Sequence, residues 1–120
     1  EMRREILALR RAVLRAPEVV RERPRVILPM DAHAFELFVR DVRRAPFARD
    51  KVAIVEDVAR HAHFTAEQAR IVVRAVEAWG QVDAAYALYP RVVDPESFHL
   101  VVGALTFRSD RDELRERIRR

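Results

Sequence analysis

The chain has 120 residues, half of them apolar, with two glycines and no cysteine. A chain of this length forms one domain, and without cysteine it has neither disulfides nor thiolate nucleophiles. Its apolar stretches are far shorter than the ~20 residues that span a bilayer, and no signal peptide can be recognised. The abundance of Ala, Val, Leu, Glu and Arg, with so little glycine, favours an all-α fold.

The formal net charge of +4 is concentrated at one end of the chain. Residues 1–29 carry eight arginines and four acidic side chains, whereas residues 30–120 carry fifteen basic and fifteen acidic ones. Lys51 is the only lysine beside 22 arginines. A composition so rich in Arg and Ala is typical of a GC-rich bacterial genome, so the basicity alone is weak evidence for a nucleic-acid partner.

Residues 1–29 are predicted to form an N-terminal amphipathic helix followed by a connector that contains prolines. The helix covers about residues 1–15, and a 4-3-4 spacing places its apolar side chains on one stripe. The stripe consists of Met2, Ile6, Leu9 and Val13. Two heptads are too few for a coiled coil by themselves, so the stripe is expected to pack on its own domain or on a second copy. Residues 16–29, with the apolar run Val26–Leu28, are expected to lie against the main body.

Residues 30–120 are predicted to form a single helical domain, which begins with a strong capping signal. Asp31 is the predicted N-cap of a helix that ends near Arg44, and Met30 and Phe35 occupy the positions of a hydrophobic staple. A second helix is predicted from about residue 48 to residue 62, where valines and alanines share one face.

The next two predicted helices also have identifiable ends. Thr65 and Gln68 form a Thr-x-x-Gln capping box at the start of the third helix. Gly80 marks the joint between the two helices, and Pro90 should end or kink the fourth, because its ring clashes with the preceding turn.

Two further helices and a periodic pattern complete the prediction. Asp94, followed by Pro95, predicts the N-cap and first position of a fifth helix, and Ser109 predicts the start of a sixth. An apolar residue before an oxygen-bearing cap recurs at positions 30, 64 and 93, and an aromatic residue before a charge recurs at positions 47, 79 and 107. The pattern predicts about six short helices arranged as three helical hairpins, an internal helical repeat of about thirty residues.

These short motifs, in this order, resemble a helical family catalogued as domain of unknown function 4476 (DUF4476), over about residues 30–118. The residues that carry the resemblance are Phe35, Pro46-Phe47-x-x-Asp50-Lys51-Val52, Phe64-Thr65-x-x-Gln68-Ala69, Asp83-x-x-Tyr86-x-x-Tyr89, Val92-Val93-Asp94-Pro95 with Phe98, and Phe107-x-Ser109 with Leu114. The chain departs from the family pattern at Trp79-Gly80 and at Glu96-Ser97. The resemblance implies a helical accessory module, often found behind export signals or beside other domains, with no established active site.

The residues that could carry reaction chemistry do not form a recognisable constellation. His61 and His63 would diverge by about 200° on a helix, so a frayed helix end is favoured over a metal site. Ser97 and His99 are too close in sequence to act as nucleophile and base, and there is no glycine-rich phosphate loop. We therefore predict no catalytic, cofactor-binding or metal-ligating residue and expect no enzymatic activity.

Three aromatic residues are the candidate partner-binding residues of the helical domain: Trp79, Tyr86 and Tyr89. The favoured interpretation is that they fill the core, since both tyrosines share the apolar face of their helix. If one tyrosine is exposed together with Trp79, a peptide-binding groove becomes the better interpretation. The stripe of the N-terminal helix is the other candidate surface.

Strong capping without a convergent polar site predicts a non-enzymatic protein–protein interaction module, acting as an accessory or scaffold. The alternative is electrostatic binding of nucleic acid or an anionic membrane surface through the Arg-rich ends, although residues 1–29 contain no aromatic residue to stack on bases. A deep pocket holding a perturbed carboxylate or His would favour a small catalytic domain instead. The chain begins at Glu1 rather than Met, so we expect it to belong to a longer product, either exported after signal removal or cytoplasmic.

Overall fold

The computed structural model describes residues 26–120, and the predicted N-terminal helix lies outside the described residues. Six short α-helices form in the described part, as the sequence predicts, joined in places by single turns of 3₁₀ helix. The α-helices are α1 (Ala32–Arg44), α2 (Ala48–Ala59), α3 (Ala66–Arg74), α4 (Gln81–Leu88), α5 (His99–Gly103) and α6 (Arg108–Arg119). The 3₁₀ turns are Ala78–Gly80, Tyr89–Arg91 and Pro95–Ser97.

The helices are arranged as three hairpins in two layers. Helices α1 and α2, α3 and α4, and α5 and α6 pack as consecutive pairs. The odd-numbered helices contact one another in sequence order in one layer, and α2, α4 and α6 do so in the other. The space between the layers is filled by apolar side chains, of which Phe64, Leu88, Leu105 and Leu114 are the largest fully buried ones.

The first and third helices begin at the caps that the sequence predicts. The carboxylate of Asp31 accepts a hydrogen bond from the Ala34 amide at 2.9 Å. Thr65 and Gln68 exchange two 3.0 Å bonds, each side chain accepting from the other residue's amide. Because these bonds satisfy amides that have no partner within the helix, they fix the first residue of each helix.

Helix α2 ends at Ala59, three residues before the predicted end. The guanidinium of Arg91 donates to the carbonyl oxygens of Ala59 and Arg60. A cation at this position satisfies the last carbonyls of the helix and interacts favourably with its dipole. His61 and His63 therefore lie beyond the helix end.

Asp94 occupies the predicted N-cap position before Pro95, but of a 3₁₀ turn rather than an α-helix, and its side chain does not cap that turn. Its carboxylate instead accepts a 2.7 Å hydrogen bond from the amide of Ala66, and so caps α3 from the neighbouring hairpin. Pro95 opens a 3₁₀ turn, and α5 begins only at His99. The sixth helix begins at Arg108, one residue before the predicted Ser109.

The segments that join the hairpins are bonded to one another through their backbones. The amide of Met30 donates to the carbonyl of His63 at 2.8 Å. Phe64 donates to the carbonyl of Arg91 at 2.9 Å and accepts from Val93 at 2.8 Å. These bonds give a single parallel β-bridge, and residues 26–120 contain no strand. They hold the start of each hairpin beside the start of the next.

The apolar run at the end of the connector does not pack on the domain. Val26, Ile27 and Leu28 are 82%, 58% and 73% exposed, so the prediction that the connector lies against the main body is wrong for these residues. Among the described residues, the first position anchored by hydrogen bonds is Met30, whose backbone bonds His63 and the Gln68 side chain.

Candidate functional site

Two large aromatic side chains are exposed to solvent at the starts of α2 and α4, two neighbouring helices of the same layer. Trp79 is 81% exposed and Phe47 is 65% exposed. Phe47 occupies the N-cap position of α2, and Trp79 lies in the 3₁₀ turn that leads into α4. Exposed aromatics of this size that share one surface are typical of interaction sites.

Between these two aromatics runs an open groove of about 560 Å³, here called the aromatic groove. Small side chains of α2 form its floor, and charged ones lie at its rim. The lining residues are Phe47, Ala48, Arg49, Val52, Ala53, Glu56, Trp79, Gly80 and Asp83. The groove thus offers an apolar floor between two aromatic side chains, with two carboxylates and one guanidinium beside it.

A salt bridge links the two elements that carry the aromatics. The ammonium of Lys51, on α2, lies 2.8 Å from a carboxylate oxygen of Glu77, directly before the 3₁₀ turn of Trp79. The Lys51 side chain is only 11% exposed, so this pair is partly shielded from water. The hydrogen bond from Lys51 holds the pKa of the Glu77 carboxyl below its ordinary value, and the backbone amide of Glu77 adds to this effect. The bridge therefore favours the position of the turn beside α2.

Close packing at Gly80 also sets the floor of the groove. A Cβ on residue 80 would lie 2.9 Å from Cγ1 of Val76 and 3.0 Å from Cγ2 of Val52. Carbon atoms pack best at about 3.5–4.0 Å, so only glycine allows the backbone to come this near to α2. The absent side chain brings Trp79 and the start of α4 close to Phe47.

The groove continues along α4 past its acidic rim. Glu56 and Asp83 line both the aromatic groove and the next hollow, which Tyr86 and Pro90 also line. Arg117 of α6 binds Asp83 at 2.8 Å, and its guanidinium carbon lies 4.3 Å from the centre of the Tyr86 ring. This cation–π contact fixes the orientation of an exposed tyrosine at the far end of the surface.

The structure separates the three aromatic candidates. Trp79 and Tyr86 are exposed, the latter by 42%, so the favoured interpretation that they fill the core is wrong. That interpretation is right for Tyr89, which is half-buried and packs edge-on against Phe98 at 4.9 Å between ring centres. The remaining predicted residues, Met2, Ile6, Leu9 and Val13, lie outside the described residues.

Phe47 is the residue of the groove that sequence reasoning did not select. The periodic pattern already placed it with Trp79 and Phe107, as aromatics at the starts of alternate helices. All three are exposed, Phe107 by 55%. The pattern therefore contained the signal, but periodicity does not distinguish a buried aromatic from an exposed one.

Comparison with known proteins supplies one match. The profile of the family described as domain of unknown function (DUF4476) matches residues 29–118. The chain belongs to the DUF4476 family. The matched region contains the three hairpins except for Arg119, the last residue of α6, and every residue of the aromatic groove. Neither the curated proteins nor the solved structures yield a significant match.

The histidines and carboxylates outside the groove do not form a metal site within residues 26–120. In the described part of the chain, no three His, Asp or Glu side chains converge in a way that could hold a metal ion. His63 has its Nε2 3.5 Å from Nη1 of Arg91, and His61 is exposed. Across residues 26–120, no helix is long and apolar enough to cross a membrane.

Proposed function

We propose that this domain is a non-enzymatic protein–protein interaction module that binds an apolar segment of a partner in the aromatic groove. The observation that carries the proposal is the joint exposure of Phe47 and Trp79 over one open groove. Tryptophan and other aromatics dominate the energetics of protein interfaces, because they bury a large apolar area with little loss of side-chain entropy.

The shape of the surface favours a helix as the bound segment. From Trp79 to Pro90 the surface follows twelve residues of mostly helical backbone, which rise by about 16 Å over eleven steps of ~1.5 Å. An amphipathic helix of three turns has this length and presents its apolar stripe to such a groove. Glu56 at the rim favours a basic side chain beside that stripe, whereas Asp83 is already paired with Arg117.

The same acidic rim argues against a nucleic-acid occupant of the groove. Phosphate groups would be repelled by Glu56, and residues 30–120 carry no net excess of basic side chains. Electrostatic binding through the Arg-rich residues 1–29 is the alternative that the experiment must separate, because such binding weakens steeply as salt is raised. We also propose that the three hairpins form an internal helical repeat, in which an aromatic residue stands at the start of each second helix; of these three aromatics, only Phe47 and Trp79 line the groove.

The experiment places a photo-reactive amino acid at position 79 of the full-length chain and irradiates it in the native source. Position 107 is the matched control, since Phe107 is exposed at the start of α6 and does not line the groove. We expect a protein adduct at position 79 that position 107 does not give, and we expect Phe47→Ala to reduce it whereas Phe107→Ala leaves it unchanged.

Two results would contradict binding of a partner protein in the aromatic groove. Binding of the full chain to DNA, RNA or anionic vesicles that falls steeply between about 50 mM and about 200 mM salt would favour the electrostatic alternative, provided that Phe47→Ala and Trp79→Ala leave it unchanged. Equal adducts at positions 79 and 107 would also contradict the proposed site.

A further inference from the structure

A second hollow lies in the other layer of the domain, between α1 and α3, and is here called the arginine hollow. Its open volume is about 430 Å³. Three apolar side chains form its floor: Phe35 and Val39 of α1 are buried, and Ile71 of α3 is half-buried. Because the aromatic groove is formed by α2 and the start of α4, the two surfaces have no lining residue in common.

The rim of the arginine hollow is basic. Arg40, Arg43 and Arg44 of α1 line it together with a single carboxylate, that of Glu36, and all four side chains are exposed. Residues three and four apart share one face of a helix, so the three arginines lie on one side of α1, over about 6 Å of its length. Three guanidinium groups and one carboxylate give the hollow an excess of positive charge.

Within the described residues, none of these three guanidinium groups has a carboxylate partner. The ion pairs of this part of the chain involve Lys51 and four other arginines. Asp41 is the other carboxylate in this half of α1, and it projects ~160° away from Arg43, at ~100° per residue around the helix. Asp41 therefore does not neutralise the rim, and it does not line the hollow.

Helix α3 adds no free carboxylate to the surface either. Its one acidic residue, Glu67, is already bound by Arg70. Arg74 lies one turn after Ile71 and is exposed in the last turn of α3. Helix dipoles favour cations in the last turns of α1 and α3, which explains why basic residues occur there but not why they surround an apolar hollow.

From this combination of an apolar floor and an unpaired basic rim, we infer that the arginine hollow is a second docking site, which binds an acidic segment of a partner protein. An apolar anchor of that segment enters the hollow and contacts Val39 and Ile71, while carboxylates beside the anchor bind the guanidinium groups. Guanidinium and carboxylate groups form paired, charge-assisted hydrogen bonds, and Arg is well suited to such contacts. The site goes beyond the proposed function, because it does not use the aromatic groove.

The shape and the lining favour a protein segment over a small anion or a nucleic acid. Pockets for small ligands bury about 70–90% of the ligand surface, and an open hollow covers less than this. Nucleic-acid bases stack on exposed aromatic side chains, whereas Phe35, the aromatic residue that lines this hollow, is buried. An acidic segment with an apolar anchor makes use of both the floor and the rim.

A matched set of synthetic peptides tests the inference on the full-length chain labelled with ¹⁵N. The probe is a short peptide of Asp, Glu and Ser with one leucine in its middle. One control peptide carries Asn and Gln in place of the acids, and the other carries alanine in place of leucine. At an ionic strength of ~0.15 M, we expect the probe to shift the amide signals of Val39 and Ile71, and each control peptide to bind about tenfold more weakly.

Charge substitutions at the rim should change the affinity for the probe in both directions. Arg40→Glu and Arg43→Glu should each weaken binding about tenfold, because repulsion replaces attraction. Arg40→Gln and Arg43→Gln should weaken it a few-fold without placing a carboxylate near the end of α1. Glu36→Gln should strengthen binding a few-fold, because it removes the one carboxylate of the hollow.

Arg108→Glu is the matched control, since Arg108 is exposed at the start of α6 and lines neither the arginine hollow nor the aromatic groove. It makes the same change in net charge as Arg40→Glu and should leave the affinity for the probe unchanged. Circular dichroism should show all variants folded.

Four results would overturn the inference. Equal weakening by Arg40→Glu and Arg108→Glu would show general attraction between charges, and equal binding of the alanine peptide would show that no anchor enters the hollow. Absence of a shift at Val39 and Ile71 would place the probe elsewhere. A DNA duplex or anionic vesicles that shift these signals at lower concentration than the probe would assign the hollow to phosphate groups. Failure to obtain an adduct at position 79 contradicts the proposed function alone, so the two proposals fail separately.

Discussion

Replacing Gly80 by alanine tests whether close packing between α2 and the start of α4 holds the groove together. The new Cβ would lie 2.9 Å from Cγ1 of Val76 and 3.0 Å from Cγ2 of Val52. Both neighbours are short, β-branched side chains with little freedom to turn away, and both are buried. The backbone segments must therefore separate by several tenths of an ångström to accept the methyl group.

The expected size of the effect follows from two opposing contributions. Overpacking of a well-packed core costs about 1–3 kcal/mol. Alanine also restricts the unfolded chain more than glycine does, which recovers about 0.4–1 kcal/mol. We therefore expect Gly80→Ala to lower the free energy of unfolding by about 1–2 kcal/mol, with a fall in Tm of several degrees.

Urea unfolding followed by circular dichroism measures this change, and Gly103→Ala provides the matched control. Among the described residues, apart from the chain neighbours and the backbone of its own helix, no atom lies within 4 Å of a Cβ added at Gly103, the last residue of α5. The free energy of unfolding of Gly103→Ala should rise by about 0.4–1 kcal/mol, because alanine lowers the conformational entropy of the unfolded chain. The cost at Gly80 should also shrink in a Val76→Ala background, since the contacted methyl is then absent. A Gly80→Ala protein as stable as Gly103→Ala would refute the reasoning.

Three further substitutions test contacts that join the hairpins. Gln81→Leu removes the bond from its amide to the Val76 carbonyl and leaves the Thr106 amide of the third hairpin without its acceptor, and should lower the free energy of unfolding by about 1–3 kcal/mol in urea melts; an unchanged value would contradict its role. Asp94→Ala should lower the free energy of unfolding by about 0.5–2 kcal/mol and speed hydrogen exchange at the Ala66 amide. Asp94→Asn should keep most of the stability and most of the protection of this amide, because the Asn side chain can still accept the bond. Glu77→Gln tests the pair with Lys51. The pKa of the Glu77 carboxyl is lower in the folded state than its ordinary value. The pair therefore stabilises the fold at pH values above the ordinary pKa, and this stabilisation is lost as the pH falls through the folded-state pKa. The difference in unfolding free energy between wild type and variant should therefore be present at about pH 7 and shrink steadily as the pH is lowered below the carboxyl's ordinary pKa, and a constant difference would contradict the assignment.

Sequence reasoning works best in this chain where the deciding interactions are local. The Asp31 cap and the Thr65–Gln68 capping box involve residues three apart, and both are present as predicted. Pro90 likewise limits α4, whose last residue is Leu88. In each case the relevant partners are fixed by the short chain between them, so their geometry can be read without the tertiary structure.

The wrong predictions concern partners that are distant in sequence. Asp94 has the sequence environment of an N-cap, but the fold places it beside Ala66, 28 residues away, whose amide it bonds at 2.7 Å. Helix α2 ends early because Arg91, more than thirty residues later, binds its last carbonyls. A local pattern cannot specify which of two available amides a carboxylate will accept from, because that choice depends on how the hairpins stack.

Exposure of the aromatic side chains is the property that sequence patterns describe least well here, and it is the property on which the site depends. Trp79 follows the same periodic rule as a core residue, yet it points outward because Gly80 brings the backbone itself against Val52 and Val76. The space that a side chain would fill is taken by the approach of α2 to the start of α4. The contact that stabilises the second hairpin against the first therefore also exposes the aromatic side chain, so stability and binding surface depend on the same residue.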